Sequence, residues 1–191
     1  MKNNKLRNYL IVISLLLLAG AAVFAGNIAR ATGVSNDLDS YTSASLATDY
    51  TRAAQLPLTG WFTKALSVNG VDRTVKVYIP EQASPHNYFS VIAVSGDEDT
   101  YAFLKNSGWL ALADKKGESI LALEPADGGW GTAEKELPYV NAAIKFLGGT
   151  NNNGVSVFSS YAYPRITGYG KCAAPLEMYA AANPILVERQ A

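Results

Sequence analysis

A single cysteine and a single histidine occur among the 191 residues of this chain. One cysteine excludes an internal disulfide and any Cys-rich zinc module. One histidine means that a Ser-His-Asp or Cys-His arrangement has to use His86 or take its imidazole from another chain. A surplus of either charge is lacking as well, since sixteen Lys and Arg stand against sixteen Asp and Glu. A protein that lives on phosphate contacts carries a basic excess, so no nucleic-acid partner is expected. Repeats and low-complexity tracts are missing too. What remains is globular: 49% hydrophobic and 17% charged residues, in a length that suits one domain.

The longest apolar run lies at the start. Lys2, Lys5 and Arg7 precede it without an acidic neighbour, and it extends from Tyr9 to Phe24, interrupted by Ser14 and Gly20. Val23-Phe24-Ala25 places small or slim residues where signal peptidase reads, and Ala29-Arg30-Ala31 offers a second site. Residues 1–25 therefore read as a secretory signal peptide. The competing reading is an uncleaved anchor over residues 9–25, and both put the remainder of the chain outside the cytoplasm. The expected location is secreted or extracytoplasmic, with membrane contact only through this segment. Without residues 1–25 the chain keeps thirteen basic against sixteen acidic residues. Cys172 is far from the signal, which excludes a lipid-modified N-terminal cysteine.

Residues 26–58 form a polar leader rich in Ala, Ser, Thr and Asp, with weak helical periodicity between Ser43 and Gln55. The domain proper is expected over residues 59–191. Trp61–Val68 and Thr74–Ile79 read as strands, Asn69-Gly70 as the tight turn joining them, and Pro80 as the stop. Ser90–Ser95 and Ser119–Leu123 are short apolar runs of the kind buried on both faces. Asp99–Lys116, broken at Gly108, and Glu134–Leu147 carry helical patterns. Val155–Phe158 and Tyr163–Thr167 are strand candidates around an Asn151–Gly154 loop. Ala173–Ala182 is a helix stopped at Asn183-Pro184, and Ile185–Val187 begins another apolar strand. Strands alternating with helices call for a parallel sheet covered on both faces, with the first hairpin adding antiparallel strands at one edge.

In such a sheet ligands bind beyond the carboxyl ends of the strands. Three ends qualify: Val94-Ser95-Gly96-Asp97, Glu124-Pro125-Ala126-Asp127 and Ile166-Thr167-Gly168-Tyr169-Gly170-Lys171-Cys172. The third passes from strand through a glycine-studded turn directly into a helix, the setting of a nucleophile elbow. Asp97-Glu98-Asp99 admits a cation through its carboxylates, yet a solvated loop with Asp99 capping the next helix is the better reading. No metal and no cofactor are expected. Trp130, between Gly128-Gly129 and Gly131, stacks on a sugar or aromatic group at the rim or merely covers the sheet end.

From about Val71 to Pro184 the chain resembles secreted esterases of the polyhydroxybutyrate depolymerase and feruloyl esterase group, in the α/β-hydrolase superfamily. Four blocks carry this, in order: Arg73 to Pro80, Ser107-Gly108-Trp109 to Gly117, Glu124-Pro125 to Trp130, and Ile166-Thr167-Gly168. The resemblance implies an α/β-hydrolase-like, mostly parallel sheet with an N-terminal antiparallel hairpin, truncated after the elbow helix. It spans roughly the first half of that catalytic domain, and the half that supplies the acid and the histidine is absent. It also implies a nucleophilic serine two residues after Gly168, where this chain has Gly170. Ser95-Gly96 occupies the oxyanion-loop position, whose amides donate to a developing oxyanion. Asp97, Asp127, Trp130, Tyr169 and Lys171 complete the expected cleft. A register shifted by two makes Cys172 the nucleophile, beside Lys171 and a helix N-terminus; the alternative is a small buried residue. His86 precedes the third strand, nine residues before Ser95, so an extended chain sets it some 25–30 Å from the cleft.

The expectation is thus an exported carboxylic-ester hydrolase relative, inactive as this chain because the nucleophilic serine and the catalytic histidine are missing. Its partner would be a small-molecule ester or a polymer. The alternatives are a non-catalytic binding module or pseudoenzyme, and a non-functional fragment of a longer esterase. The sequence sets no oligomeric state.

Overall fold

Asn69 and Gly70 take φ values of +55° and +77°, the left-handed pair that a two-residue hairpin turn demands and that Asn-Gly adopts at little cost. They join the strands Gly60–Val68 (β2) and Val71–Ile79 (β3), paired antiparallel from Gly60↔Ile79 to Val68↔Val71. The computed structural model describes residues 36–38, 58–84, 87–148 and 164–184. The signal segment, nearly all of the leader, His86, the 151–154 loop, the 155–158 strand and Ile185–Val187 lie outside the described residues.

Phe89–Ala93 (β4) and Ser119–Leu123 (β5) are buried at every position, as their unbroken apolar runs require. Between them lie the helices Thr100–Asn106 (α1) and Trp109–Lys116 (α2), separated at Gly108. The Asp99 carboxylate accepts from the Ala102 N–H at 2.9 Å and so caps α1. Ala133–Gly148 (α3) leads towards Arg165–Gly168 (β6), and a single 3-10 turn at Gly170–Cys172 opens into Ala173–Ala182 (α4).

A two-residue strand, Asn36–Asp37 (β1), completes a sheet of order β1-β2-β3-β5-β4-β6. Three of its five pairings are parallel and two antiparallel, because β3 returns antiparallel to both β2 and β5. Among the described residues the architecture is a mixed α/β sheet with four helices. β1 falls inside the segment read as a polar leader, and Leu38 just after it is 2% exposed in the core. The hairpin is therefore not the outermost element, since β1 pairs with β2 in parallel on its far side.

Alternation along the strands divides the core in two. One layer joins Phe62, Val75, Val77, Ile79, Val91, Leu121 and Leu123 to Val140, Ala143 and Ile144 of α3 and Leu176 and Tyr179 of α4. The other sets Trp61, Tyr78, Ile92, Ile120 and Ala122 against Leu104 of α1 and Ala113 of α2. From β4 the chain crosses one face to β5, then crosses the opposite face by α3 to β6 on the other side of β4. That reversal of direction opens a crevice beyond the carboxyl ends of β4, β5 and β6.

Candidate functional site

Three loops meet at that crevice. After β4, Ser95 and Asp97 enter it; after β5, Gly128, Gly129 and Trp130 do; after β6, Tyr169, Gly170, Lys171 and Cys172 do. Together they line a cavity of about 390 Å3, within the roughly 300–1,000 Å3 of small-molecule sites. Of the residues expected there from the sequence, Ser95, Asp97, Trp130, Tyr169, Gly170, Lys171 and Cys172 come together. Gly96 and Asp127 are not among its lining residues. Gly96 instead rests on the second loop: at φ +86° a Cβ there would sit 2.5 Å from Pro125 Cγ, so the two loops touch through a position that only glycine fills.

The third loop is held by packing. A Cβ on Gly168 would lie 2.7 Å from Ala173 Cα and 3.0 Å from Cys172 O, all backbone, so β6 and α4 approach as closely as they do only through glycine. Two residues on, Gly170 adopts φ +62°, and a Cβ there meets no atom within 4 Å. The turn therefore has the left-handed backbone and the open space above it, but no side chain. Cys172 is 3% exposed, and its thiol lies 2.8 Å from Tyr169 O and 3.2 Å from Ala93 O, both acceptors for its hydrogen. The Tyr169 N–H donates to Cys172 Sγ at 3.4 Å. A thiol bonded to Tyr169 in the turn and to Ala93 of β4 works as a fastener between the two. Tyr169 is 91% exposed, an unusual position for an aromatic ring.

The wall formed by the second loop rests on a buried ion pair that the sequence reading did not assign. Arg73 on β3 donates from Nη1 to Glu136 Oε2 of α3 at 2.6 Å and from Nη2 to Glu124 O at 2.8 Å. Its guanidinium lies 4.0 Å from the centroid of the Tyr139 ring and 5.3 Å from that of Trp130. Glu136 uses its other oxygen to accept from the Gly131 N–H at 2.8 Å. The indole N–H of Trp130 donates to Val94 O at 2.6 Å. Trp130 is thereby fixed at its nitrogen, at its ring and through the next residue. The Tyr139 hydroxyl donates to Thr74 O at 3.0 Å, and burial pushes this phenol well above the usual tyrosine range against the opposing pull of Arg73.

A signal for this pair exists in the sequence. Arg73 occupies the row of β3 that continues as Val75, Val77 and Ile79, and Glu136 the face of α3 that continues as Val140, Ala143 and Ile144. A charge of each sign interrupting two core-facing rows calls for a partner. Chemically, the cavity offers the Ser95 hydroxyl, backbone amides, one carboxylate and one ammonium. Histidine is lacking among the described residues, and no group of three or more potential metal ligands occurs among them. No helix of the described residues is long and apolar enough to cross a membrane. Compared with known proteins, the chain matches no family model and none of the curated sequences significantly.

Proposed function

We propose that the chain is an exported relative of the α/β-hydrolases of the carboxylic-ester hydrolase type, in which the cleft survives as a binding site and ester hydrolysis does not occur. The observation that carries this reading is the turn at Gly170. A strand, a left-handed residue and a helix follow one another beyond the sheet, and the left-handed residue has no side chain to attack a carbonyl. The resemblance of the four sequence blocks, a mixed sheet with an antiparallel hairpin before β4, β5 and β6, and loops converging on one cavity support the ancestry. The sole histidine, His86, precedes β4, whereas the cavity lies beyond that strand's opposite, carboxyl end. Shared architecture confers no activity by itself, and the groups that would confer it are missing. Export rests on the basic, apolar and small-residue layout of residues 1–25.

The test is a panel of fluorogenic esters of graded acyl length, run on the purified chain and on Cys172→Ala. Neither protein should release fluorophore above buffer. Turnover abolished by Cys172→Ala would make that thiol the nucleophile, and turnover surviving it would place the chemistry on another group. Either result overturns the reading.

A further inference from the structure

The lining of the cavity is specific about what it suits. Leu, Ile, Val, Met and Phe do not occur in it, so an acyl chain or an aliphatic polyester finds no slot of matching character. The apolar surface on offer is aromatic, from Trp130 and Tyr169, and the two are presented differently. Trp130 has its indole nitrogen committed to Val94 O and its ring braced by Arg73, so its place at the wall is set before any ligand arrives. Tyr169 stands at the rim, 91% exposed, with almost no contact of its own to justify the position. The charges balance, one carboxylate at Asp97 and one ammonium at Lys171, which favours a neutral ligand able both to donate and to accept. Gly128, Gly129 and Gly170 bring side-chain-free backbone to the lining, and Ser95 adds a hydroxyl. No neighbouring atom lies within 4 Å of where a Cβ on Gly170 would stand, so this glycine floor of the cavity leaves room for a ring.

Aromatic faces surrounded by balanced donors and acceptors, without an aliphatic pocket, match a molecule with apolar C–H faces and a rim of hydroxyls. We propose that the cavity binds a neutral pyranose ring of a saccharide, stacked on Trp130 and Tyr169 and hydrogen-bonded by Asp97, Lys171 and Ser95 over the glycine floor. This rests on the reading of the cleft as a binding site that performs no hydrolysis.

Isothermal titration of the purified chain with cellohexaose, xylohexaose and mannohexaose, beside p-nitrophenyl butyrate and methyl ferulate, tests it. At least one hexasaccharide should bind saturably, and Tyr169→Ala should weaken that binding about tenfold, because an exposed ring contributes to contact and little to folding. Gly170→Asn, which tolerates the left-handed backbone and fills the floor, should weaken it at least as much with an unchanged circular dichroism spectrum. Failure of all three hexasaccharides to bind the folded chain overturns the inference, and so does binding indifferent to both substitutions. Binding of the two esters alone, without turnover, overturns the saccharide and leaves the non-hydrolytic cleft standing. Turnover of either ester overturns the reading beneath it.

Discussion

Replacing Arg73 by Met should be among the most damaging single substitutions in this fold. The ion pair with Glu136 is 2.6 Å long between side chains that are 5% and 8% exposed, so water neither screens it nor rescues the partner left behind. Methionine keeps much of the stem's volume and removes three things: the counter-charge of Glu136, the donor to Glu124 O, and the cation beside Tyr139 and Trp130. Breaking a buried pair by deleting one member costs about 3–5 kcal/mol, a large share of the ~5–15 kcal/mol that holds a domain together. Glu136→Gln should cost less. The amide oxygen still accepts from Gly131, and the guanidinium keeps Glu124 O and its two rings, a cation–π contact being worth up to about 2 kcal/mol when desolvated. The double substitution should fall short of the sum of the singles by ~1–3 kcal/mol, since the two groups act on one another. Urea unfolding followed by tryptophan fluorescence measures all four proteins. An Arg73→Met loss below about 1 kcal/mol, or one that vanishes in high salt as an exposed pair's would, refutes the buried-pair account.

Raising the pH gives a second handle. Burial holds the Tyr139 phenol protonated well above its ordinary value of about 10, and Tyr179 is raised in the same direction by the same cause. The folded chain then keeps protons that the unfolded chain releases, so this stabilisation is complete below about pH 10 and declines as pH rises beyond it. Tyr139→Phe should flatten the decline measured by urea unfolding between pH 9 and 11, at a cost near neutrality of about 1 kcal/mol for the bond to Thr74 O; an unaltered slope refutes the assignment. Gly168→Ala drives a Cβ into the backbone of Ala173 and should cost roughly 1–3 kcal/mol in the same assay, whereas a change under about 0.5 kcal/mol would mean that β6 and α4 separate freely. Cys172 should react with Ellman's reagent only as fast as the chain opens, accelerating in mild urea, because its sulfur is enclosed by Ala93 O and Tyr169 O. Immediate modification of the native chain would refute that enclosure.

The strands and helices were legible because their signals are local. Ser119–Leu123 and Ala173–Ala182 are bounded in the structure as the apolar run and the Asn183-Pro184 stop imply. Asn69-Gly70 placed the hairpin because few other pairs take two left-handed residues in succession. β1 was not legible: two polar residues carry no period, and Asn36 and Asp37 are ordered by pairing with Phe62 and Thr63, some 26 positions away. Which central strand the hairpin joins was not legible for a related reason. Alternation of strands with helices fixes β4, β5 and β6, but nothing local says that β3 lies antiparallel against β5, a pairing made across 40 to 50 residues.

At the cleft the same distinction separates what the residues say from what their backbone requires. Ser95, Asp97, Trp130 and Tyr169 could be named because each lies just past a strand end, and the strand ends were readable. The support beneath them was not, since Arg73, Glu136 and Gly131 are brought together from a strand, a helix and a loop. Gly170 joins the two levels. Its φ of +62° would strain any side chain other than Asn or Asp, and such strain, of order 1–3 kcal/mol, persists where the side chain performs a task. Glycine takes this conformation without that cost and leaves the space beside the turn open. Under the proposed reading, the missing side chain and the open space in the cleft are one feature at one residue.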